Sequence, residues 1–416
     1  MVSSIRRAVI IIILFISINS SLVTAQSNSN INTMISFGSI ISSSNNAIQL
    51  RTEGTQIVDG NGEPFRILSM TIGQNERLKQ DGTGTSISNT PRTDPYESWF
   101  TPDDVDFYKS IGYNTLEIHM MTLKDVSKAD GSINQAYFRD YIDEWVKWGT
   151  EKELYVILNF QRFNPLPGSF DSYGWYYVPN WFYADYGYPS TFNELSKICI
   201  DFYDTTVTHM NDERENYYKL LEYTANRYKD NPWVMISPRN EPQHFIYRYT
   251  ENEAQGQRIV DGYYEIATES IDRMRATGFN GLTFVELPYG LTNYDGRVQS
   301  AQNINRQNVV FEIHYYMSNN NDFNLWKEKV SLAKEKIDSF NKPMYLGEWG
   351  LDPMEVKDIY GLEYSMNLML NYLDSNNMNS AFHAYGRIWG YANWSANPEN
   401  KLSSTEIEIM ENIMIK

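Results

Sequence analysis

The feature that most constrains the fold of this chain is a regular alternation of short apolar segments with longer amphipathic segments, which begins near Gln49 and continues to the C-terminus. Short runs of β-branched and apolar residues predict strands, and the segments between them place apolar residues at helical spacing. Eight strands that alternate with helices predict an α/β fold, a single (β/α)₈ TIM barrel. The predicted strands are Phe65–Ile72, Asn114–Met120, Leu154–Phe160, Trp233–Arg239, Leu282–Leu287, Val309–Tyr315, Pro343–Glu348 and Ser380–Gly386.

The segments between the predicted strands carry helix signals. Thr101 is a capping residue that precedes Pro102 at the first helical position and two acidic residues in the first turn. An open, doubly wound sheet is the alternative architecture, but no glycine-rich phosphate loop follows any predicted strand. Further helices are predicted around the apolar stripe from Phe138 to Gly149 and at Asp212–Tyr228, Gln255–Thr277, Leu325–Phe340 and Leu362–Asn376.

The N-terminal region has the pattern of an export signal. Two arginines precede the apolar run Ala8–Ile16, and the small-residue site Val23-Thr24-Ala25 follows it. Because this run is too short to span a bilayer, we predict a cleaved signal peptide at residues 1–25, with an uncleaved anchor as the alternative. Residues 26–48 are rich in Ser and Asn and predict a linker, which leaves residues 49–416 for the barrel. We therefore expect a secreted protein without a membrane span in its mature form, and we expect a monomer.

The charge balance constrains the partners of the protein. The 416 residues include 52 acidic and 35 basic residues, which gives a formal net charge of −17. Such a chain repels the phosphates of nucleic acids and anionic lipids, so a neutral ligand is favoured. Aromatic residues make up 14% of the chain, and their rings stack on flat apolar faces, including those of sugars. The composition therefore favours a neutral carbohydrate over a nucleic acid as the partner.

Two glutamates follow predicted strands at positions suited to catalysis. Glu241 comes directly after the fourth strand, and Glu348 ends the seventh. The C-terminal ends of the strands form the active-site face of a (β/α)₈ barrel, so the two carboxyl groups should meet across its mouth. A single glutamate in a loop is more often a solvated charge. Two facing carboxylates, however, are the minimal requirement for glycoside hydrolysis.

Four motifs resemble those of glycosyl hydrolase family five, the cellulase family. Gln56–Leu68 is similar to the family's first hairpin and strand, and His314-Tyr315-Tyr316 to its His-x-Tyr motif. Asn240-Glu241-Pro242 is similar to its acid/base motif, and Gly347-Glu348-Trp349-Gly350 to its nucleophile motif. The resemblance covers Gln49 to the C-terminus.

This resemblance implies a retaining mechanism in which Glu241 is the acid/base and Glu348 the nucleophile. It also implies that Asn240 hydrogen-bonds the sugar 2-OH and that Tyr316 orients Glu348. His314 alone is as compatible with core packing as with function, but the family match favours a role in substrate binding.

Two positions depart from the family pattern. The family usually has Arg where Glu117 stands, and His where Gln161 stands after the third strand. The Arg normally lowers the pKa of the nucleophile, so Glu348 is expected to ionise less readily unless another cation substitutes. The candidate substitutes are Arg162, Arg239 and His119. Gln161 and His119 are also candidate substrate-binding residues.

A long segment after the third strand is rich in aromatic residues. Residues 161–192 carry twelve aromatic rings and four prolines, which is typical of a binding lid or platform. A self-packed surface loop is the alternative. Trp389 and Trp394 follow the eighth strand and are candidates for the surface beneath the cleaved sugar, with packing at the rim as the alternative.

The sequence favours a secreted retaining endo-β-glycosidase, similar to an endoglucanase, that acts on a neutral β-1,4-linked polysaccharide. A β-mannanase is the nearer alternative, and a catalytically silent carbohydrate-binding barrel or a surface-layer protein are alternatives from other classes. The five histidines are scattered without the paired spacing of a metal site, so neither a metal nor another cofactor is expected.

Overall fold

The structure is a computed structural model that describes residues 49–72, 77–78, 99–100, 102–110, 112–120, 132–160, 200–242, 253–287, 296–317, 323–351 and 359–383. The predicted signal peptide, the linker and the aromatic segment lie outside the described residues, as do Gln161, Arg162, Trp389 and Trp394.

Eight parallel strands close into a barrel in which each strand pairs with its neighbours along the chain. The predicted (β/α)₈ fold is therefore confirmed. Each strand coincides in place with a predicted one, because runs of β-branched and apolar residues suit strands that are buried on both faces. The barrel strands are β3 (Leu68–Ile72), β6 (Thr115–Met120), β7 (Tyr155–Phe160), β8 (Val234–Ser237), β9 (Thr283–Glu286), β10 (Val309–Met317), β11 (Met344–Leu351) and β12 (Asn379–His383).

Among the described residues, four short strands lie outside the barrel. β1 (Arg51–Glu53) and β2 (Gln56–Val58) form an antiparallel hairpin that precedes the first barrel strand. β4 (Arg77–Leu78) and β5 (Trp99–Phe100) form a parallel pair. Only the second strand of this hairpin lies in the segment Gln56–Leu68 that the sequence indicated, where an isolated antiparallel bridge also pairs Val58 with Pro64.

Helices follow the barrel strands at the predicted places. The first begins at Pro102, as its start signal indicates, and a π-helical segment, Phe138–Ile142, separates the second from the third. None of the helices in the described ranges is long and apolar enough to span a membrane. The helices are α1 (Pro102–Ser110), α2 (Gln135–Tyr137), α3 (Asp143–Glu151), α4 (Asn211–Tyr228), α5 (Glu253–Ala276), α6 (Phe323–Ser339) and α7 (Ile359–Ser375).

Alternate side chains of the barrel strands belong to two hydrophobic clusters. One cluster fills the barrel interior and includes Ile157, Phe284 and Tyr345. The other includes Leu116, Leu158 and residues of the surrounding helices. Because side chains alternate along a strand, the polar residues that share the inward parity line the barrel toward its C-terminal end.

A register shift in β11 turns Glu348 into the barrel mouth. Ile313 pairs with Leu346, but the next residue of β10, His314, pairs with Glu348, so Gly347 has no partner in the ladder. The extra residue reverses the inward and outward alternation after Tyr345. A Cβ at Gly347 would lie 1.9 Å from Glu312 Oε1, so a larger residue cannot fit without a shift. The glycine thus allows Glu348 to stand beside His314.

Candidate active site

Glu241 and Glu348 lie together at the C-terminal end of the barrel, and both are buried. One carboxylate oxygen of Glu241, one of Glu348 and a ring nitrogen of His314 all lie within 4.8 Å of one another. The two strands that carry the glutamates are far apart in sequence, and closure of the barrel brings them to one mouth. The arrangement is a pair of carboxyl groups with an imidazole between them.

Glu241 has an unusual backbone conformation that a second glutamate stabilises. Its φ is +45°, in the left-handed region that residues with a Cβ rarely adopt. Its backbone N–H donates a hydrogen bond to Glu286 Oε2 at the end of β9. Glu286 is itself held by its strand, and Tyr263 donates to its carbonyl oxygen at 2.7 Å. The conformation of Glu241 is thus fixed by contacts that β9 supplies.

Glu348 receives different partners on its two oxygens. The hydroxyl of Tyr316 donates to Glu348 Oε2 at 2.5 Å, and His314 Nδ1 lies 3.4 Å from the same oxygen. On the other side, His119 Nε2 lies 3.7 Å from Glu348 Oε1. The hydroxyl that donates to Oε2 favours the ionised form of this carboxylate, as does an imidazolium beside either oxygen.

His314 lies among four buried carboxyl groups. Its Nδ1 is 3.2 Å from Glu241 Oε1 and 3.6 Å from Glu286 Oε1, and its Nε2 is 3.2 Å from Glu312 Oε1. Burial opposes a charge on the ring. The attraction of Glu286 and Glu348 and the hydrogen bond to Glu312 outweigh that cost and raise the pKa of His314 to about 10. The imidazole is therefore a cation at neutral pH.

Glu312 anchors His314 from within the same strand. Ser237 Oγ donates to Glu312 Oε2 at 3.0 Å, while Glu312 Oε1 faces the histidine ring. Burial raises the pKa of Glu312, and the hydrogen bond with His314 opposes that rise. Together the serine and the glutamate fix the orientation of the imidazole between Glu241 and Glu348.

Glu117, at the position of the unexpected glutamate, is fully buried and fully hydrogen-bonded. Asn159 Nδ2 donates to its Oε1 at 2.6 Å, and the hydroxyl of Tyr345 donates to its Oε2 at 2.6 Å. His119 Nε2 lies 3.4 Å from Glu117 Oε1. Burial raises the pKa of Glu117 to about 7, although the two hydrogen bonds counteract the rise.

Asn159 connects this side of the site to the acid/base side. Its Nδ2 also donates to Asn240 Oδ1 at 3.0 Å, and the backbone N–H of Asn240 donates to the carbonyl of Phe160 at 2.9 Å. Asn240 Nδ2 is buried and has no hydrogen-bond partner among the described residues. An amide donor in this state is available to a ligand that enters the mouth.

The structure brings together six of the eight residues selected from the sequence: Glu241, Glu348, Asn240, His314, Tyr316 and His119. Gln161 and Trp389 lie outside the described residues and stay predictions. Arg239, a candidate replacement cation, has its guanidinium 5.9 Å from the centre of the Tyr203 ring. His119, another candidate, faces Glu348.

Sequence reasoning missed Glu286, Glu312, Asn159 and Tyr345. Each lies in a strand that is otherwise buried, and an acid or amide inside an apolar strand is a signal that could have indicated the first three. The sequence also gave no metal site, because its histidines are scattered. The donor atoms of Glu241, His314 and Glu348 lie within 4.8 Å of one another, but the imidazolium form of His314 offers no lone pair to a metal ion.

A parallel (β/α)₈ barrel with two buried glutamates close together at its C-terminal end is an arrangement that suits glycoside hydrolysis. Residues 78–397 match the profile of the cellulase family, glycosyl hydrolase family 5. The chain belongs to this family and is a glycoside hydrolase by that membership. No curated protein sequence matches it.

Several solved structures have the same fold. An endogalactoceramidase has a TM-score of 0.66 at 15% identity, with 88% of this chain and 84% of that chain covered. Subunit Z of the cellulose synthase from Clostridioides difficile has a TM-score of 0.55 at 16% identity, with 85% and 100% covered. The endoglucanase Cel5A from Thermotoga maritima has a TM-score of 0.54 at 13% identity, with 83% and 96% covered. At these identities the similarity concerns the fold.

Proposed function

We propose that the protein is a retaining endo-β-glycosidase that hydrolyses a neutral β-1,4-linked polysaccharide in the manner of an endoglucanase. The observation that carries the proposal is the approach of one oxygen of Glu241 to one of Glu348, within 4.8 Å. Retaining enzymes keep their carboxyl groups about 5–5.5 Å apart, and inverting enzymes need a wider gap for a water molecule.

In the first step, Glu348 attacks the anomeric carbon while Glu241 donates its proton to the leaving oxygen. The glycosidic bond breaks, and an ester forms between the sugar and Glu348. In the second step, Glu241 accepts a proton from water, the resulting nucleophile attacks the same carbon, and Glu348 leaves as a carboxylate. Tyr316 stabilises that carboxylate by donation to Oε2. The amide of Asn240 is available to hydrogen-bond the 2-OH of the sugar.

The choice of a neutral glucan rests on charge and on relatives. The net charge of −17 and the buried carboxyl groups of the mouth disfavour anionic polysaccharides. The endoglucanases among the structural neighbours share the fold. A β-mannan is the alternative polysaccharide, and the similarity to an endogalactoceramidase makes a galactoceramide a further substrate to test.

The experiment measures the release of reducing ends from hydroxyethyl cellulose, mixed-linkage glucan, galactomannan and a galactoceramide. Wild type is compared with Glu241→Gln, Glu348→Gln and the control Glu328→Gln, whose side chain is 62% exposed. We expect turnover of a glucan, loss of it in both site variants, and wild-type rates in the control. NMR of the first product anomer should show retention of the β configuration.

A carbohydrate-binding barrel without activity is the rival from another class. It predicts binding of oligosaccharides by calorimetry without turnover of any member of the panel. Wild-type rates in Glu241→Gln and Glu348→Gln would place the active site elsewhere.

Export and the oligomeric state are further proposals. We propose that residues 1–25 direct secretion and that the mature protein acts as a monomer outside the cell. The motif of two arginines, an apolar run and a small-residue site supports export. Sequencing of the N-terminus of the secreted protein and light scattering test the two statements.

A further inference from the structure

The two carboxylate oxygens of Glu348 contact different groups. Oε2 receives the Tyr316 hydroxyl and lies near His314, whose charge is shared among three other carboxyl groups. Oε1 faces His119 Nε2 at 3.7 Å. His119 is buried, with 4% of its surface exposed, so a charge on its ring acts on Glu348 with little screening by water.

Glu117 is a second carboxyl group beside the same ring nitrogen of His119. Its Oε1 is 3.4 Å from the same Nε2 atom that faces Glu348. Glu117 and His119 are two residues apart in β6, so both side chains point to the same face of the strand. Tyr345 and Asn159 each donate to one oxygen of Glu117, and this pair of donors stabilises its carboxylate form. Glu117 is thus held in a fixed position beside the ring, and burial raises its pKa to about 7, so it becomes an anion there as the pH rises through neutrality.

We propose that His119 is the cationic partner of Glu348 Oε1 and that Glu117 is the positioning residue that keeps His119 protonated and oriented there. The Nε2 atom of the imidazolium then lies within 3.7 Å of one carboxylate oxygen of Glu117 and one of Glu348. The proposal deepens the function proposed above, because it gives Glu348 the role of nucleophile. It explains how a site with a buried glutamate at position 117 can still stabilise the ionised form of Glu348.

The titratable groups around Glu117 and His119 come from three strands, and a fourth strand supplies a neutral amide. His119 faces Glu117 in its own strand β6 and Glu348 in β11. Glu117 also senses His314 in β10, Glu348 and the hydroxyl of Tyr345 in β11, and it acts in turn on Glu312 in β10. Asn159 of β7 is the neutral neighbour. Burial brings the pKa of Glu117 to about 7. As the pH rises through 7, ionisation of Glu117 should retain the proton on His119.

The first test needs no turnover and therefore does not depend on the proposed function. The probe is the full-length protein labelled with ¹⁵N-histidine, titrated by NMR from pH 5 to pH 9, with His119→Asn to assign the signal. In wild type we expect His119 to show the imidazolium pattern at pH 8. In Glu117→Gln, which keeps the size of the side chain and removes its charge, we expect His119 to lose its proton at least one pH unit lower. A neutral His119 at pH 6 in wild type, or the same titration in both proteins, would overturn the proposal.

The second test measures the effect on Glu348 through a pH–rate profile of kcat/KM on a reactive aryl β-glycoside. Removal of an opposite charge at this distance raises the pKa of a carboxyl group by about 1–3 units. The acidic limb of His119→Asn should therefore shift upward by that amount, and the limb of the exposed control His209→Asn should not move. An unmoved limb in His119→Asn, with only a lower melting temperature, would assign His119 a purely structural role. Absence of turnover in every protein would contradict the proposed function, and the NMR titration would still decide the pairing.

Discussion

The carboxylate of Glu286 accepts the backbone N–H of Glu241 and thereby holds Glu241 at a φ of +45°. A left-handed residue with a Cβ costs about 1–2 kcal/mol, so the conformation persists only where contacts fix it. Through this hydrogen bond, the side chain of Glu286 stabilises the backbone conformation of Glu241. The side chain of Glu241 thus enters the mouth from a backbone position that the sequence around it does not favour.

Replacement of Glu286 tests this support. Glu286→Ala removes the acceptor, so the carboxyl group of Glu241 should lose its placement, and kcat on a polysaccharide should fall by roughly 10²-fold, the lower end of general acid catalysis. Glu286→Gln keeps an acceptor oxygen and should retain most of the rate. The comparison uses steady-state kinetics on a soluble glucan, with melting temperatures to exclude unfolding. Equal losses in the two variants would show that the charge of Glu286, and not its hydrogen bond, is what Glu241 requires.

Gly347 should not accept a side chain. An added Cβ would lie 1.9 Å from Glu312 Oε1 and 2.7 Å from its carboxyl carbon. Glu312 cannot move away freely because Ser237 and His314 hold it. Gly347→Ala should therefore destabilise the protein by about 1–3 kcal/mol and reduce activity, since Glu312 orients His314.

Denaturant unfolding measures the loss of stability in Gly347→Ala. The double variant Gly347→Ala with Glu312→Ala is the control, because it removes the atoms that clash. We expect Gly347→Ala to cost less stability in the Glu312→Ala background than it costs in wild type. Wild-type stability and activity in Gly347→Ala would show that the bulge tolerates a larger residue.

His314 should remain an imidazolium well above the usual range of histidine. Its pKa is raised from 6.5 to about 10, because three carboxyl groups around it outweigh the cost of burial. At pH 8 both ring nitrogens should therefore give the ¹⁵N shifts of the protonated form. Glu312→Gln removes one of these anions and should lower the pKa at which the ring titrates. A neutral His314 in wild type at pH 8 would contradict the charge assigned to the centre of the site.

The barrel and the two glutamates could be predicted from the sequence because the information is local. Each strand is a run of β-branched or apolar residues. In a (β/α)₈ barrel the C-terminal ends of all the strands lie at the same face, whatever their positions in the sequence. Glu241 follows its strand directly, so its position at the mouth needs no knowledge of the neighbours. The resemblance to a family added the roles of Asn240, His314 and Tyr316.

The remaining part of the site depends on contacts between strands that are distant in sequence. Simple alternation from the inward Tyr345 would point Glu348 away from the mouth, and only the register shift at Gly347 against β10 reverses it. Glu286 in β9 accepts a hydrogen bond from Glu241, which follows β8, so this contact joins two different strand ends. From the sequence alone, Glu117 indicated only that the Arg usual in the family is absent. The structure shows it beside His119, and no local pattern contains that proximity.

The burial of Glu117 also makes the stability of the whole barrel depend on pH. Its pKa rises from 4.5 in the ordinary state to about 7 in the folded protein, with burial as the largest cause. The folded state thus binds this proton more tightly than the unfolded state does. The resulting stabilisation is complete below about pH 4.5 and is lost as the pH rises through 7.

Glu117→Gln should remove this dependence, because its side chain has the same size and no ionisation. Between pH 5 and pH 8, wild type should lose about 2–3 kcal/mol of unfolding free energy that the variant keeps, since each pKa unit corresponds to about 1.4 kcal/mol. The variant should therefore be relatively more stable at pH 8 than at pH 5. Urea unfolding at the two pH values measures the difference, with the exposed Glu328→Gln as the control that removes one charge from the surface. Parallel pH dependence in wild type and Glu117→Gln would mean that Glu117 is ionised throughout this range, with Tyr345, Asn159 and His119 fully offsetting its burial.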